Sequence, residues 1–570
     1  MEDNKKQLKT ILKGTAVISG LFAFAVAVIL ISDYYRIKHA KPLTSPVLVQ
    51  LRERLNDSPE DDQLRKEIRE LDYIARKAYF VSKARMKNGI LLLVTAITLS
   101  LISIHILLAM QKKLKSPPKC KGSENPFIDA SKIRVYITGS LLWIFAILFI
   151  IFYLNPDRKP PSPKNKKVTD KAPGELPPKL DFLKNWPEFR GVNSSARSSA
   201  KNIPTHWNEK SGEGILWKTE IPLPGYSSPI IWNDKIFLTG GDKKIRKVFC
   251  LDRKNGKLLW GKSIPFSAPP GSKIPSVTED TGFAAPTMTT DGIRVFAIFA
   301  TGDIAALDMD GTLLWEKNLG VPDNHYAYSS SLLYYKKKLI VQYDDSTRTK
   351  LIALNPLDGS IIWENSRKAA ISWASPIAVQ IPVPGKKITL DAIIAATSST
   401  ISAHSPDSGK IIWSTKCMDG EVAPSPAYHN GMIFVANEFA SAVALDALSG
   451  KIIWQKDELD LPDVASPLAT DGKLYLAASS GILTCLDSKT GNKKWIKEYD
   501  EGFYSSPILV GDVIYLLDMK GKMFIIKDSD KYELVSESSV NDITVTTPAF
   551  IENNIYIRGN KYLYSIDTSE

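Results

Sequence analysis

The chain is poor in the residues that do covalent chemistry. Its 570 residues hold four cysteines and six histidines. Cys120, Cys250, Cys417 and Cys485 stand alone, with no adjacent pair and no Cys-x-x-Cys, which excludes a disulfide scaffold and argues against a zinc site or a redox dithiol. No Gly-x-Ser-x-Gly, no His-Glu-x-x-His and no P-loop is read, so the common hydrolase and nucleotide-binding signatures are missing. The scattered histidines, His404 and His429 among them, read as satisfied strand residues. No catalytic residue and no metal site is assigned.

Nor does the charge of +12 describe a nucleic-acid binder. Residues 1–180 carry 31 Lys+Arg against 16 Asp+Glu, whereas residues 181–570 carry 42 against 45. A nucleic-acid protein keeps its basic patch on the domain that binds. Here the excess lies beside long apolar runs, where it is expected to flank membrane spans.

Three such runs reach the length of about 20 residues that a bilayer requires, over about 11–32, 90–110 and 136–154. Tyr34-Tyr35-Arg36 follows the first where a cleavage site would need small residues, so this run is read as an uncleaved anchor. Between the first two, Ser58-Pro59-Glu60-Asp61 forms a helix start and Leu64, Ile68, Leu71, Ala75 and Ala78 recur at helical spacing. A helical hairpin over 47–88 is expected within a membrane region 1–154. Residues 155–183, with Pro160-Pro161-Ser162-Pro163 and Pro177-Pro178, form a Pro/Lys-rich spacer.

The rest of the chain repeats. Cys250-Leu251-Asp252 with Gly256 and Trp260 returns as Ala306-Leu307-Asp308 with Gly311 and Trp315. Further copies end on Trp363, Trp413, Trp454 and Trp495, and the spacing of 41 to 55 residues between tryptophans is that of propeller blades. In each copy the Asp caps a turn, the Gly supplies positive φ, and the Trp is a plate to pack between sheets. Seven tryptophans are therefore assigned structural roles: Trp217, Trp260, Trp315, Trp363, Trp413, Trp454 and Trp495. Openings near Pro229, Pro286, Ser330, Pro376, Pro426, Pro467, Pro507 and Pro548 count eight blades. The seventh has Val535 in place of its Trp. The eighth is one strand short, and the segment 214–221 is expected to complete it and close the ring.

The phrase Ala-Leu-Asp-x-x-(Ser/Thr)-Gly-Lys-x-x-Trp resembles the repeat of pyrroloquinoline-quinone (PQQ) type propellers, which include quinoprotein dehydrogenases and BamB-type outer-membrane assembly lipoproteins. The lead-in Trp186-Pro187-Glu188-Phe189-Arg190-Gly191-Val192-Asn193 is similar to a segment that precedes such propellers in bacteria. The resemblance covers about 184–570 and implies an all-β eight-bladed propeller behind an α-helical membrane region with three spans. It also implies where an enzyme would show itself, in PQQ, calcium and an adjacent cysteine pair, and none of these can be matched onto this sequence.

Three expectations about function follow. The first is a non-catalytic binding or scaffold module of the cell envelope, anchored through several spans in the inner membrane with its propeller outside. Its partners would be membrane lipid together with an envelope protein or an extracellular polymer, without cofactor, and a role in envelope assembly follows by analogy with BamB. The alternatives are a PQQ- and calcium-dependent membrane dehydrogenase and a ligand sensor. As a binding site, aromatic residues ahead of the blade openings (Tyr226, Phe283, Tyr328, Trp373 and Tyr504), with His325, Glu421 and Asp463 in adjacent loops, are expected to ring one channel mouth.

Overall fold

The computed structural model describes residue 10, residues 12–29, positions scattered between 93 and 106, and residues 177–567 apart from 270, 368–370, 439 and 458. The chain divides into two compact units, Met1–Lys164 and Asn165–Glu570. The expected hairpin over 47–88, the span over 136–154 and the spacer up to residue 176 lie outside the described residues.

Among the described residues of the first unit one helix, Leu12–Ile29, is long and apolar enough to cross a membrane. Of the second expected span, 90–110, the described residues include part of an apolar helix, Thr95–Ile104. The first helix turns its bulky side chains outward: Ile18, Leu21 and Phe24 are all more than 60% exposed. Small residues face inward instead. Ser19 and Ala23 are buried, as are Ala96 and Ser103 of the shorter helix, and Ser100 Oγ donates to the Ala16 carbonyl at 3.1 Å. This is the reverse of a water-soluble bundle, which buries its large apolar groups.

The second unit is an eight-bladed propeller. Each blade is a four-stranded antiparallel sheet, here lettered A to D from the channel outward. Blade 1 shows the plan: Ile230–Trp232 (A), Lys235–Gly241 (B), Arg246–Asp252 (C) and Leu258–Ser263 (D). The A to C strands are covered on both faces by neighbouring blades and are apolar almost throughout, whereas strand D alternates between packing and solvent. Blade 8 takes its outer strand from the other end of the chain: Ile215–Glu220 pairs antiparallel with Tyr562–Asp567.

Two repeated contacts join the blades. The indole N–H of each strand-D tryptophan donates to a backbone carbonyl in the C–D turn of the next blade, from Trp217 to Arg253 at 3.0 Å round to Trp495 and Ser529 at 3.2 Å. The turn glycine explains itself there. Gly409 has φ +70°, and a Cβ on it would stand 2.5 Å from the Trp363 ring.

The second contact is a closed ring. The backbone N–H of Ser228 donates to Thr287 Oγ1, that of Thr287 to Ser331 Oγ, and so on through Ser375, Ser425, Ser466, Ser506 and Thr547, whose N–H returns to Ser228 Oγ. Each link is 2.9–3.1 Å and buried. The hydroxyl in the recurring Ser-Pro is thus the acceptor that ties one blade opening to its neighbour. The ring also corrects the alignment of two blades. In blade 2 the link is Thr287, so Pro286 stands earlier than the proline of blade 1, and blade 3 likewise carries an extra residue before Ser331.

The missing tryptophan of blade 7 is made good from elsewhere. In the strand register the tryptophan position falls on Ser536, which pairs with Ile525 as Trp495 pairs with Cys485, and not on Val535; Trp207, 1% exposed, lies beside the same outer strand with its backbone N–H donated to Ser538 Oγ at 3.0 Å.

Candidate functional site

In every blade the A–B and C–D turns lie on one face of the disc, and the D–A loops and B–C turns on the other. Residues 184–200 close the channel on the first face. Trp186 bridges to Ile231 of blade 1, and the Pro187 carbonyl accepts from Thr290 N of blade 2 at 3.1 Å. Glu188 Oε2 accepts from Thr289 Oγ1 of blade 2 and Tyr334 N of blade 3, both at 3.4 Å. Arg190 donates to the carbonyls of Pro426 and Pro467, at the openings of blades 5 and 6. Arg197–Ser198 then runs parallel to the inner strand of blade 7, Ile508–Val510, and Ser198 Oγ donates to Phe550 O of blade 8. Arg197 Nη2 donates to Ala469 O of blade 6 and lies 2.9 Å from His429 Nδ1, whose Nε2 is 2.8 Å from Asp471.

This plug bends through left-handed backbone at Arg190, Gly191, Asn193, Ser194 and Ala196. The amides of Asn193 and Ser194 turn onto the Glu188 carboxyl, and burial still pushes that group up to about 8. Burial likewise lowers Arg190 to about 9. Both residues lie in the lead-in segment Trp186–Asn193 ahead of the repeats. Their role as a channel floor is invisible in the sequence, because their partners are up to 277 residues away.

The channel therefore has its loop-bearing mouth on the opposite face, where the D–A loops carry the expected collar. The structure distributes those residues unevenly. Tyr226, Trp373 and Tyr504 occupy equivalent places, two residues ahead of the hydroxyl ring, whereas Phe283 and Tyr328 sit further from it because blades 2 and 3 are longer there. Trp373 is buried, and its indole N–H is satisfied by Asn324 Oδ1 and the Ala327 carbonyl, both at 2.9 Å. Tyr328 is buried against Tyr343 and donates to the Gln342 carbonyl. Tyr226, Phe283 and Tyr504 are half-buried, and Tyr226 donates to Glu279 O in the long loop between blades 1 and 2. His325 stacks edge-on against Trp373 at 5.3 Å, and its Nε2 lies 2.8 Å from Glu421 Oε1, so loops from blades 2–3 and 4–5 meet over the indole. Asp463 stands half-buried on its own loop.

Among the described residues the three thiols are buried. Burial raises the Cys250 and Cys485 thiols to about 12 and that of Cys417 to about 11, far from thiolate at neutral pH. His404 Nε2 lies 2.8 Å from Ser402 Oγ, the spacing of a nucleophile and its base. However, both are buried inside blade 4, Nδ1 is held by the Gly409 carbonyl at 3.0 Å, and burial lowers the imidazole to about 4. Contrary to the expectation of no P-loop, Gly256-Lys-Leu-Leu-Trp-Gly-Lys-Ser263 has that spacing. It forms a turn and an outer strand with no helix behind it, so it cannot cradle phosphate. As for calcium-bound PQQ, among the described residues no three His, Cys, Asp or Glu side chains converge as a metal site.

Comparison with known proteins places the fold in a family. A curated relative, the tetrathionate hydrolase of Acidithiobacillus ferrooxidans, is 27% identical over 212 residues, 34% of this chain and 37% of that protein. The chain thus matches little more than a third of that enzyme's length. Among solved structures, a europium-containing methanol dehydrogenase aligns with a TM-score of 0.54 at 11% identity, covering 68% of this chain and 99% of that one. BamB from Moraxella catarrhalis aligns at 0.46 and 13%, covering 62% and 99%. The first likeness shows the fold alone. The family model described as outer membrane protein assembly factor BamB, of PQQ-type repeats, matches residues 215–377 and 397–570, and with more than half of its length matched this chain belongs to that family.

Proposed function

We propose that this protein is a membrane-anchored, non-catalytic binding module, whose propeller presents the loop-bearing face to a partner in the cell envelope. The observation that carries the reading is the plugged channel. With one face sealed by residues 184–200, the loops of the other face form the accessible mouth, and those loops are where the blades depart most from their repeat. The buried thiols and the enclosed Ser402–His404 pair support a binding role over a chemical one. The family match favours assembly work in the envelope, and PQQ-dependent oxidation is the reading it competes with.

The membrane part of the proposal is a multi-pass inner-membrane anchor with the propeller outside the cytoplasm. It is supported by the Leu12–Ile29 helix, whose bulky residues point out and whose small ones point in, the pattern of helices packed in lipid. The basic residues that flank the apolar runs support it as well.

The test is photo-crosslinking from single positions in native membranes. A photoreactive residue at Asp460 or Glu501, on the loop face, is expected to give discrete adducts. One at Asp310 or Asp407, on the plugged face, is expected to give none. Adducts confined to the plugged face would overturn the reading.

A further inference from the structure

The loop-bearing face is electrically lopsided. Four consecutive D–A loops, 417–426, 457–467, 499–507 and 540–548, carry nine Asp or Glu residues and no Lys, Arg or His, and the B–C turns of the same half add Glu438 and Asp518 against Lys520 and Lys561. On the other half of the same face, charges are mixed, with Lys243, Lys244, Lys273, Arg348 and Arg367 among the acids. Within the acidic half Asp419, Asp457, Asp460 and Asp500 are exposed and Glu501 is half-buried. Among the described residues none of Asp419, Asp457, Asp460 and Glu501 forms an ion pair, whereas the plugged face neutralises its acids locally, as in Lys235–Asp310 at 2.9 Å and Lys494–Asp530 at 3.1 Å. The crowding is felt below the surface: burial and the nearby Glu501 carboxylate raise Asp518.

A second observation lies between the first two of these loops, in the B–C turn of blade 5. Asn437 is 1% exposed, and its Nδ2 donates to the carbonyls of Asp419 at 3.1 Å and Glu438 at 3.0 Å. Its Oδ1 is buried and has no hydrogen-bond partner among the described residues. A buried acceptor left open among carboxylates calls for a donor, and the carboxylates call for a positive one. The charges are spread over four blades instead of converging on a point. A single cation therefore cannot satisfy them, whereas an extended chain with a positive charge every few residues can.

We propose that this arc is the docking surface for a lysine- or arginine-rich segment of a partner polypeptide. This rests on the binding-module reading above and gives its partner a chemistry. Long-range attraction would steer the segment onto the face, and Asn437 would anchor one donor group.

The test uses the full-length protein in detergent and a twelve-residue peptide of alternating Lys and Ser, followed by fluorescence anisotropy at 0.05 and 0.15 M salt. Two variants are compared: D419N/D457N/D460N/E501Q on the arc, and D234N/D310N/D407N/D530N, which removes the same charge from the plugged face. The arc variant is expected to weaken binding by about tenfold at the lower salt, and the control by less than about twofold. No binding to the unaltered protein, or equal losses in both variants, would overturn the proposal. Spermidine at equal charge binding as tightly as the peptide would overturn the assignment to a polypeptide. The binding-module reading is judged separately: loop-face crosslinks that persist in the arc variant would show a platform whose partner is not basic.

Discussion

Individual residues carry the fold's specificity through burial. Glu188 is the clearest case. Its folded value of about 8 lies above an unfolded value near 4.5, so between those limits the folded state holds a proton that the unfolded state has released. Stability from this group is complete below about pH 4.5 and is lost as pH rises toward 8, by up to about 1.4 kcal/mol per pH unit. Glu188→Gln should remove that slope, and chemical denaturation at pH 5 and pH 8 should show the variant gaining on the parent as pH rises. A parallel dependence in both proteins would contradict this. Trp207 is a second case. Replacing it with Ala should cost about 3–5 kcal/mol, as for a fully packed tryptophan of the repeat, although it stands outside every repeat unit. A loss under 1 kcal/mol by urea titration would mean that the blade 7–8 seam does not depend on it.

At the scale of elements, each blade is held to the next by one hydroxyl and, at every junction but that of blades 7 and 8, by one indole, and the two differ in how they read in the sequence. The tryptophans announce themselves through the spacing of the repeat and the glycine that faces each ring. The hydroxyl ring is concealed in the ordinary dipeptide Ser-Pro, and only closure over eight blades reveals that each Ser or Thr accepts from its neighbour. Ser425→Ala would leave the Ser375 N–H buried without an acceptor, and a cost of about 1–3 kcal/mol is expected from thermal or chemical unfolding, with Ser425→Thr restoring most of it. The insertions in blades 2 and 3 were likewise illegible, because Pro286 mimics an opening that the backbone places later. That shift moves Phe283 and Tyr328 away from the positions of Tyr226 and Tyr504, and it is why the expected collar resolves into separate packing groups. The His325–Glu421 contact over Trp373 does join three of the expected residues, since both loops bend toward the same indole. The plug was the largest omission. Its sequence is short and irregular, and its meaning lies in contacts with strands hundreds of residues away, which no periodicity can display.

For the whole molecule, the plug and the closing strand make the ring depend on residues ahead of the repeat. Shortening the chain past residue 208 would remove the floor of the channel, Trp207 and the parallel pairing of Arg197–Ser198. A full-length protein cut by a site-specific protease between 200 and 203 should keep its plug bound and unfold near the parent temperature. If the plug leaves on cleavage, the floor is a loosely held strap. The proposed binding role rests on the same architecture: a propeller plugged on one face, with an acidic arc on the other and, among the described residues, buried thiols. What competes with that account is oxidation at a PQQ centre.

The deciding measurement is an equilibrium titration of the full-length protein with PQQ in the presence of calcium, read by thermal shift and by dye reduction with simple alcohols. The binding-module account predicts no saturable shift and no turnover. Saturable stabilisation with alcohol-dependent dye reduction would contradict it and make this propeller an enzyme.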